Sequence, residues 1–293
     1  MTTRPLATSL ALLLAAVPAL AQDRNRPGPW DGDLWLLESK DGLRFEKQRL
    51  LVEAAGVPTL IADRTGRLVA LFQWFPEDRR EAWDRVAVSI STDQGATWTD
   101  PEPIVVEGYP DDLMRPFDPT IVELEDGRYR LYFTTNSKGK GRSCPRIASA
   151  ISADARRWTW EPGDRLAVGG EFVIDCAAAR LGDEWHLFSP VQEREGSAYH
   201  AVSMDGLEFE RLEALELDAA GNWLGCAVPV GGALRFYGTG RDGWAAESRD
   251  GRTWRANGGA RWERAVDPGV ARLAEDRWIM VATILEPPAR KGR

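Results

Sequence analysis

A five-fold internal repeat limits what this chain can fold into. Serine, then aspartate two residues later, then an aromatic residue four or five further on, recurs five times. The copies are SKDGLRF from Ser39, STDQGATW from Ser91, SADARRW from Ser152, SMDGLEF from Ser203 and SRDGRTW from Ser248. They follow one another about every 50 residues, the period of a stacked or circular repeat. Between them lies a second element, a short apolar run, a turn rich in Gly or Asp, and another apolar run. Examples are VPTLIADRTGRLVALFQW from Val57 and DPTIVELEDGRYRLYFTT from Asp118, with further copies from Asp175, Gly225 and Asp267. That pattern predicts a two-stranded hairpin. The aspartate motif falls in the turn of the next hairpin, so one repeat is four antiparallel strands, the blade of a β-propeller.

The predicted fold is all-β, a five-bladed propeller in one domain over residues 22–285. The fifth copy, from Asp267, has only its first two strands. The missing pair is expected in DLWLLESKDGLRFEKQRLLV, from Asp33 to Val52, which would complete the last blade and close the ring. Closure removes the exposed sheet edges of a linear array.

The first residues form a leader: Arg4, an apolar run from Leu10 to Leu20, and a small-residue cleavage pattern at Ala19-Leu20-Ala21. Residues 1–21 read as a signal peptide, which predicts a secreted or periplasmic protein with no membrane span. The tail at 286–293 reads as disordered. With a net charge of -8 and no basic run, the chain does not fit nucleic acid. A monomer is expected. The cysteines, Cys144, Cys176 and Cys226, are odd in number and none forms a CxxC pair. His186 and His200 share one blade and read as structural. No cofactor motif is recognisable, although a channel-bound cation such as calcium stays open.

In STDQGATW, Asp93 is suited to accepting hydrogen bonds from its own turn, and Trp98 to burial. These residues resemble the Asp box of sialidase-type propellers. The resemblance implies a structural turn between the third and fourth strands, away from the active site. It also sets the phase of each blade. The strands at Val57, Asp118, Asp175, Gly225 and Asp267 become innermost, with their first residues at the mouth of the central channel.

Three of those five positions are aspartate. Asp118, Asp175 and Asp267 are expected to converge, and converging carboxylates raise one another's pKa. A protonated acid beside a base is what glycoside hydrolysis requires; the alternative is that each caps its own turn. FDPTIVELEDGRYRLYFTT also resembles the second blade of five-bladed furanosidase-type hydrolases, such as arabinanases and β-xylosidases. That resemblance implies a pKa-tuning role for Asp118. It places Asp175 where the family has a Glu acid, and Val57 where it has an Asp base. Candidate substrate-binding residues in or beside the mouth loops are Arg115, Phe117, Trp74, Trp223, Arg146 and Glu193, with Arg142, Trp83 and Trp244 beside them. The function read from the sequence is an exported glycoside hydrolase-like propeller that acts on, or binds, carbohydrate at the channel mouth. The alternative is a non-catalytic glycan- or ligand-binding propeller, and a third possibility is a protein-binding scaffold.

Overall fold

The computed structural model describes residues 28–139, 143–192, 194–217, 221–240, 242–262 and 264–285. They form five antiparallel blades around a central channel. Blade one runs from the channel outward as Ala55–Ala62, Leu68–Trp74, Arg85–Ser91 and Glu102–Pro103. Blade two is Phe117–Glu123, Tyr129–Thr135, Arg146–Ser152 and Arg157–Leu166. It gains a fifth strand, Val105–Glu107, which pairs in parallel with its outer edge. That addition departs from the four strands expected of each blade: the chain leaving blade one crosses to the next blade's rim. Blade three is Ala177–Leu181, Glu184–Pro190, Ser197–Ser203 and Glu210–Arg211, with Leu215–Glu216 also pairing with its third strand. Blade four is Asn222–Val230, Ala233–Thr239, Trp244–Ser248 and Arg255–Asn257.

Blade five closes the ring as the repeat predicts. Ala265–Ala274 and Arg277–Leu285 are completed by Gly32–Ser39 and Glu46–Val52 from the other end of the chain. Gly32–Ser39 pairs with Arg277–Leu285 along its whole length.

The burial pattern follows position within a blade. Second strands such as Leu68–Trp74 and Tyr129–Thr135 are buried at every residue, because neighbouring blades cover both faces. The outer strand Glu46–Val52 is exposed at its first five residues. There is no single core. Five apolar clusters lie one in each interface between adjacent blades. Each Ser-x-Asp turn contributes its aromatic residue to one of them. Trp98 packs between blades five and one, Trp158 between one and two, and Phe209 between two and three. Trp254 and Phe45 fill the remaining two interfaces.

The turns themselves are alike. The serine hydroxyl donates to the aspartate two residues on, at 2.8–3.1 Å. In four turns the same carboxylate oxygen also accepts two backbone N–H groups, as Asp205 does from Leu207 and Glu208. These turns lie on the face opposite the mouth. All three cysteines are free, and Cys176 and Cys226 point into different blade interfaces. His186 and His200 are both buried, 3.0 Å apart between ring nitrogens in blade three. Among the described residues no helix is long and apolar enough to cross a membrane.

Candidate functional site at the channel mouth

The five inner strands share an irregular entry. Val57, Asp118, Asp175 and Asp267 all take left-handed backbone angles, with φ between 49° and 53°, and Gly225 lies at φ 148°. Blades one, two, four and five show a break in strand register at this point. A bulge of this kind re-aims a side chain. Here it turns one residue per blade toward the channel mouth. The phase read from the sequence therefore holds, although the regular strand of blade three starts two residues after Asp175.

Four of the five bulges are tied to the preceding blade. The amide of Val57 donates to Thr283 Oγ1 at 3.1 Å, that of Asp175 to Thr134 Oγ1 at 3.1 Å, and that of Asp267 to Thr239 Oγ1 at 2.8 Å. The amide of Asp118 donates to Gln73 Oε1 at 3.4 Å. Such bonds anchor a backbone conformation that costs on the order of 1–3 kcal/mol per residue.

Around the ring the mouth therefore presents Val57, Asp118, Asp175, Gly225 and Asp267, one from each blade. Asp118 is 9% exposed, and Asp175 and Asp267 are half-buried. Asp118 and Asp175 sit in adjacent blades, and their carboxyls come within reach of a shared proton. The pair is thus one unit rather than two opposed groups. Asp267 adds its charge to both without sharing a hydrogen bond with either.

The three groups titrate high for the same main reason. Burial pushes Asp118 up to about 7, against a hydrogen bond from Thr134 and with help from the charge of Asp267. Burial and the two neighbouring carboxylates push Asp175 well above the usual range. Burial takes Asp267 to about 6, opposed by the Thr239 hydroxyl, which donates to Asp267 Oδ1 at 3.4 Å. The arrangement can hold one proton between Asp118 and Asp175 while Asp267 is ionised. Among the described residues no group of three or more His, Cys, Asp or Glu has the geometry to hold a metal ion.

Below the mouth, the inner strands of all five blades enclose a cavity of about 350 Å³. Its wall is mainly apolar and includes Leu60, Ile121, Ala178, Val228 and Val270.

The other sequence candidates fare unequally. Trp223 is fully buried in the interface of blades three and four, its indole donating to Gly196 O at 3.1 Å. Trp74 is buried, with the Arg79 guanidinium over its ring at 5.0 Å. Trp244 is buried and bonded to two carbonyls. These three are core residues with no face open to a sugar. They fall outside the sequence repeat because they fill gaps particular to one interface. Arg115 is paired with Asp84, and Arg146 with Asp164 at 2.7 Å, so neither presents a free charge. Phe117 is half-buried beside Asp118. Glu193 and Arg142 lie outside the described residues.

Among the described residues three aromatic side chains are exposed, and all lie on mouth-side loops. Trp83 is 48% exposed after the second strand of blade one, Phe172 is 56% exposed before blade three, and Trp30 is 51% exposed before blade five's third strand. Sequence reasoning missed Trp30, Phe172 and the anchoring residues Gln73, Thr134, Thr239 and Thr283. A signal for the last group exists: each stands within the last three residues of its blade's second strand.

The fold is that of a five-bladed β-propeller. No protein-family model matches it, and no curated protein matches either. Solved structures match at the level of fold. A family 117 glycoside hydrolase from the marine bacterium Zobellia galactanivorans is 13% identical, with a TM-score of 0.54, over 90% of this chain and 94% of that one. A GH130 structure, reported with hydrolases that target beta-1,2 mannosidic linkages, is 14% identical with a TM-score of 0.55, over 80% and 85%. A GH32 beta-fructofuranosidase from Bombyx mori is 13% identical with a TM-score of 0.56. There the match covers 77% of this chain but only 54% of the silkworm enzyme.

Proposed function

We propose that this protein is an exported glycoside hydrolase-like propeller that takes a glycan at its channel mouth. The reading rests on one observation: a close carboxyl pair, Asp118 and Asp175, with a third acid, Asp267, set apart from it on the same ring. In the proposed reaction the pair gives its proton to the glycosidic oxygen as the C–O bond breaks. Asp175, the more strongly raised of the two, holds that proton, and Asp118 tunes it. Asp267 takes a proton from the water that attacks the anomeric carbon. One water is consumed and one glycosidic bond is replaced by two hydroxyl-bearing ends.

Gly225 and Val57 separate Asp267 from the pair on either side of the ring. Trp30, Trp83 and Phe172 offer flat apolar faces of the kind that stack on sugars. The leader at 1–21 supports a secreted or periplasmic location. A second reading, a glycan-binding propeller without turnover, is favoured by Val57. That residue stands where the hydrolase resemblance implies a base.

A glycan hydrolysis and binding screen of the mature chain tests both. Turnover lost by a hundredfold or more in Asp175→Asn and Asp267→Asn, with the fold kept, supports the first reading. Binding that Trp83→Ala weakens, with no turnover by the wild type, supports the second. If no glycan binds, both fail.

A further inference from the structure

Gln73 breaks the pattern of the anchoring ring. Blades two, four and five use a threonine hydroxyl at this place, which both accepts and donates. Thr239 accepts the Asp267 amide and donates to the Asp267 carboxylate. Thr134 accepts the Asp175 amide and donates to the carboxylate of Asp118. An amide oxygen only accepts. Gln73 Oε1 takes the Asp118 amide, while Gln73 Nε2 is turned away and donates to Asp84 Oδ1 at 3.0 Å. Gln73 therefore holds the backbone of Asp118 and offers nothing to its carboxyl. The hydroxyl donor to that carboxyl is Thr134, which also takes the Asp175 amide.

Asp84 is itself constrained. It has a left-handed backbone at φ 56°, and its amide donates to Trp74 O at 2.7 Å. Its carboxylate is paired with the Arg115 guanidinium, whose Nε also donates to the Asp84 carbonyl. Arg115 lies three residues before Asp118 on the segment that enters blade two. The contacts thus close a circuit: Asp118 amide, Gln73, Asp84, Arg115, and back along the chain to Asp118.

We propose that Arg115, Asp84 and Gln73 form a positioning relay that fixes the bulge at Asp118 and aims its carboxyl at Asp175. Arg115 then serves the mouth as a clamp and not as a ligand for an anionic sugar. Use of the relay in catalysis rests on the reading above. Its geometry does not, and neither does its test, which needs no substrate.

The titratable groups that face Asp118 are Asp175, Asp267 and, through its thiol, Cys176. Carboxyl ¹³C NMR titration of the aspartate-labelled protein reads each acid separately. In Asp84→Ala the Asp118 carboxyl is released from Asp175 and Thr134, whose hydrogen bonds hold its pKa down, and its midpoint rises by about one pH unit or more, a tenfold change in proton affinity. The Asp267 midpoint stays in place. Asp84→Asn, which still accepts from Gln73, restores most of the shift. Gln73→Met, similar in shape but without hydrogen bonds, repeats the effect of Asp84→Ala and serves if that variant does not fold. A folded variant in which Asp118 does not move overturns the relay. So does a parallel shift of Asp118 and Asp267, which would mean general loosening of the mouth.

Discussion

Asp63 and Asp118 are similarly buried, at 5% and 9% exposure, yet their carboxyls are driven in opposite directions. Asp63 follows the inner strand of blade one at the end away from the mouth. Burial alone would raise its pKa. Thr65, Tyr129 and Arg67 all donate to it instead, and together they hold it well below the usual range. Asp118 starts the inner strand of the next blade at the mouth. Thr134 and Asp175 donate to it, but burial, helped by the charge of Asp267, outweighs them and the group is pushed up. Burial sets how much is at stake at a carboxyl, and its partners set the sign. The Ser-x-Asp turns behave like Asp63. Asp93 is held down to about 2 by the Thr97 side chain and amide and by Ser91.

The largest expected break in this comparison is Asp63→Ala. It leaves Tyr129 and Arg67 without their shared acceptor, at a cost of about 2–4 kcal/mol, discounted because Arg67 is partly exposed. Thermal unfolding should fall by roughly 5–15 °C, while the titration of Asp118 stays where it is. A change in both would join two sites that the structure separates.

The second test is the pH dependence of stability. At the mouth the folded pKa values are raised, so this contribution is complete below about 4, the unfolded value. It is lost as pH rises through about 6 for Asp267 and about 7 for Asp118. At Asp63 and the turns the folded values are lowered, so that contribution is present above about 4 and lost only in stronger acid. Unfolding followed from pH 5 to pH 8 should show stability declining. Asp118→Asn should flatten the decline and stabilise the protein at pH 8 by about 1–3 kcal/mol. A wild type equally stable at both pH values would sink the account of the mouth.

The smallest effect concerns Val57, a β-branched residue held at φ 51° beside the acids. Asparagine tolerates that conformation better. Val57→Asn should raise stability by about 0.5–1 kcal/mol in a calorimetric scan. A loss would mean that the valine side chain contributes more by packing than its backbone costs in strain.

The blades were legible in the sequence because a propeller repeats its local chemistry. Ser91, Asp93 and Trp98 each satisfy a need that lies within one turn and one interface, and that need returns every blade. The same phase located Asp118, Asp175 and Asp267. The tryptophans were not legible. Trp74, Trp83, Trp223 and Trp244 all stand off the repeat, yet three are buried and only Trp83 is open. Which of them found a gap to fill depends on the neighbouring blade, and no local pattern records that. Arg115 was legible as a mouth residue but not as the partner of Asp84, which lies on another loop.

By itself, then, the sequence determined the number of blades, the closure of the ring by Gly32–Ser39 and Glu46–Val52, and which residue of each blade faces the mouth. All follow from local periodicity and from strands that must find partners. The tertiary structure alone decided that Asp118 and Asp175 form a pair while Asp267 stands apart, and that Gln73 and Thr134 aim the first of them. Those outcomes depend on distances between blades, and only the closed ring fixes such distances.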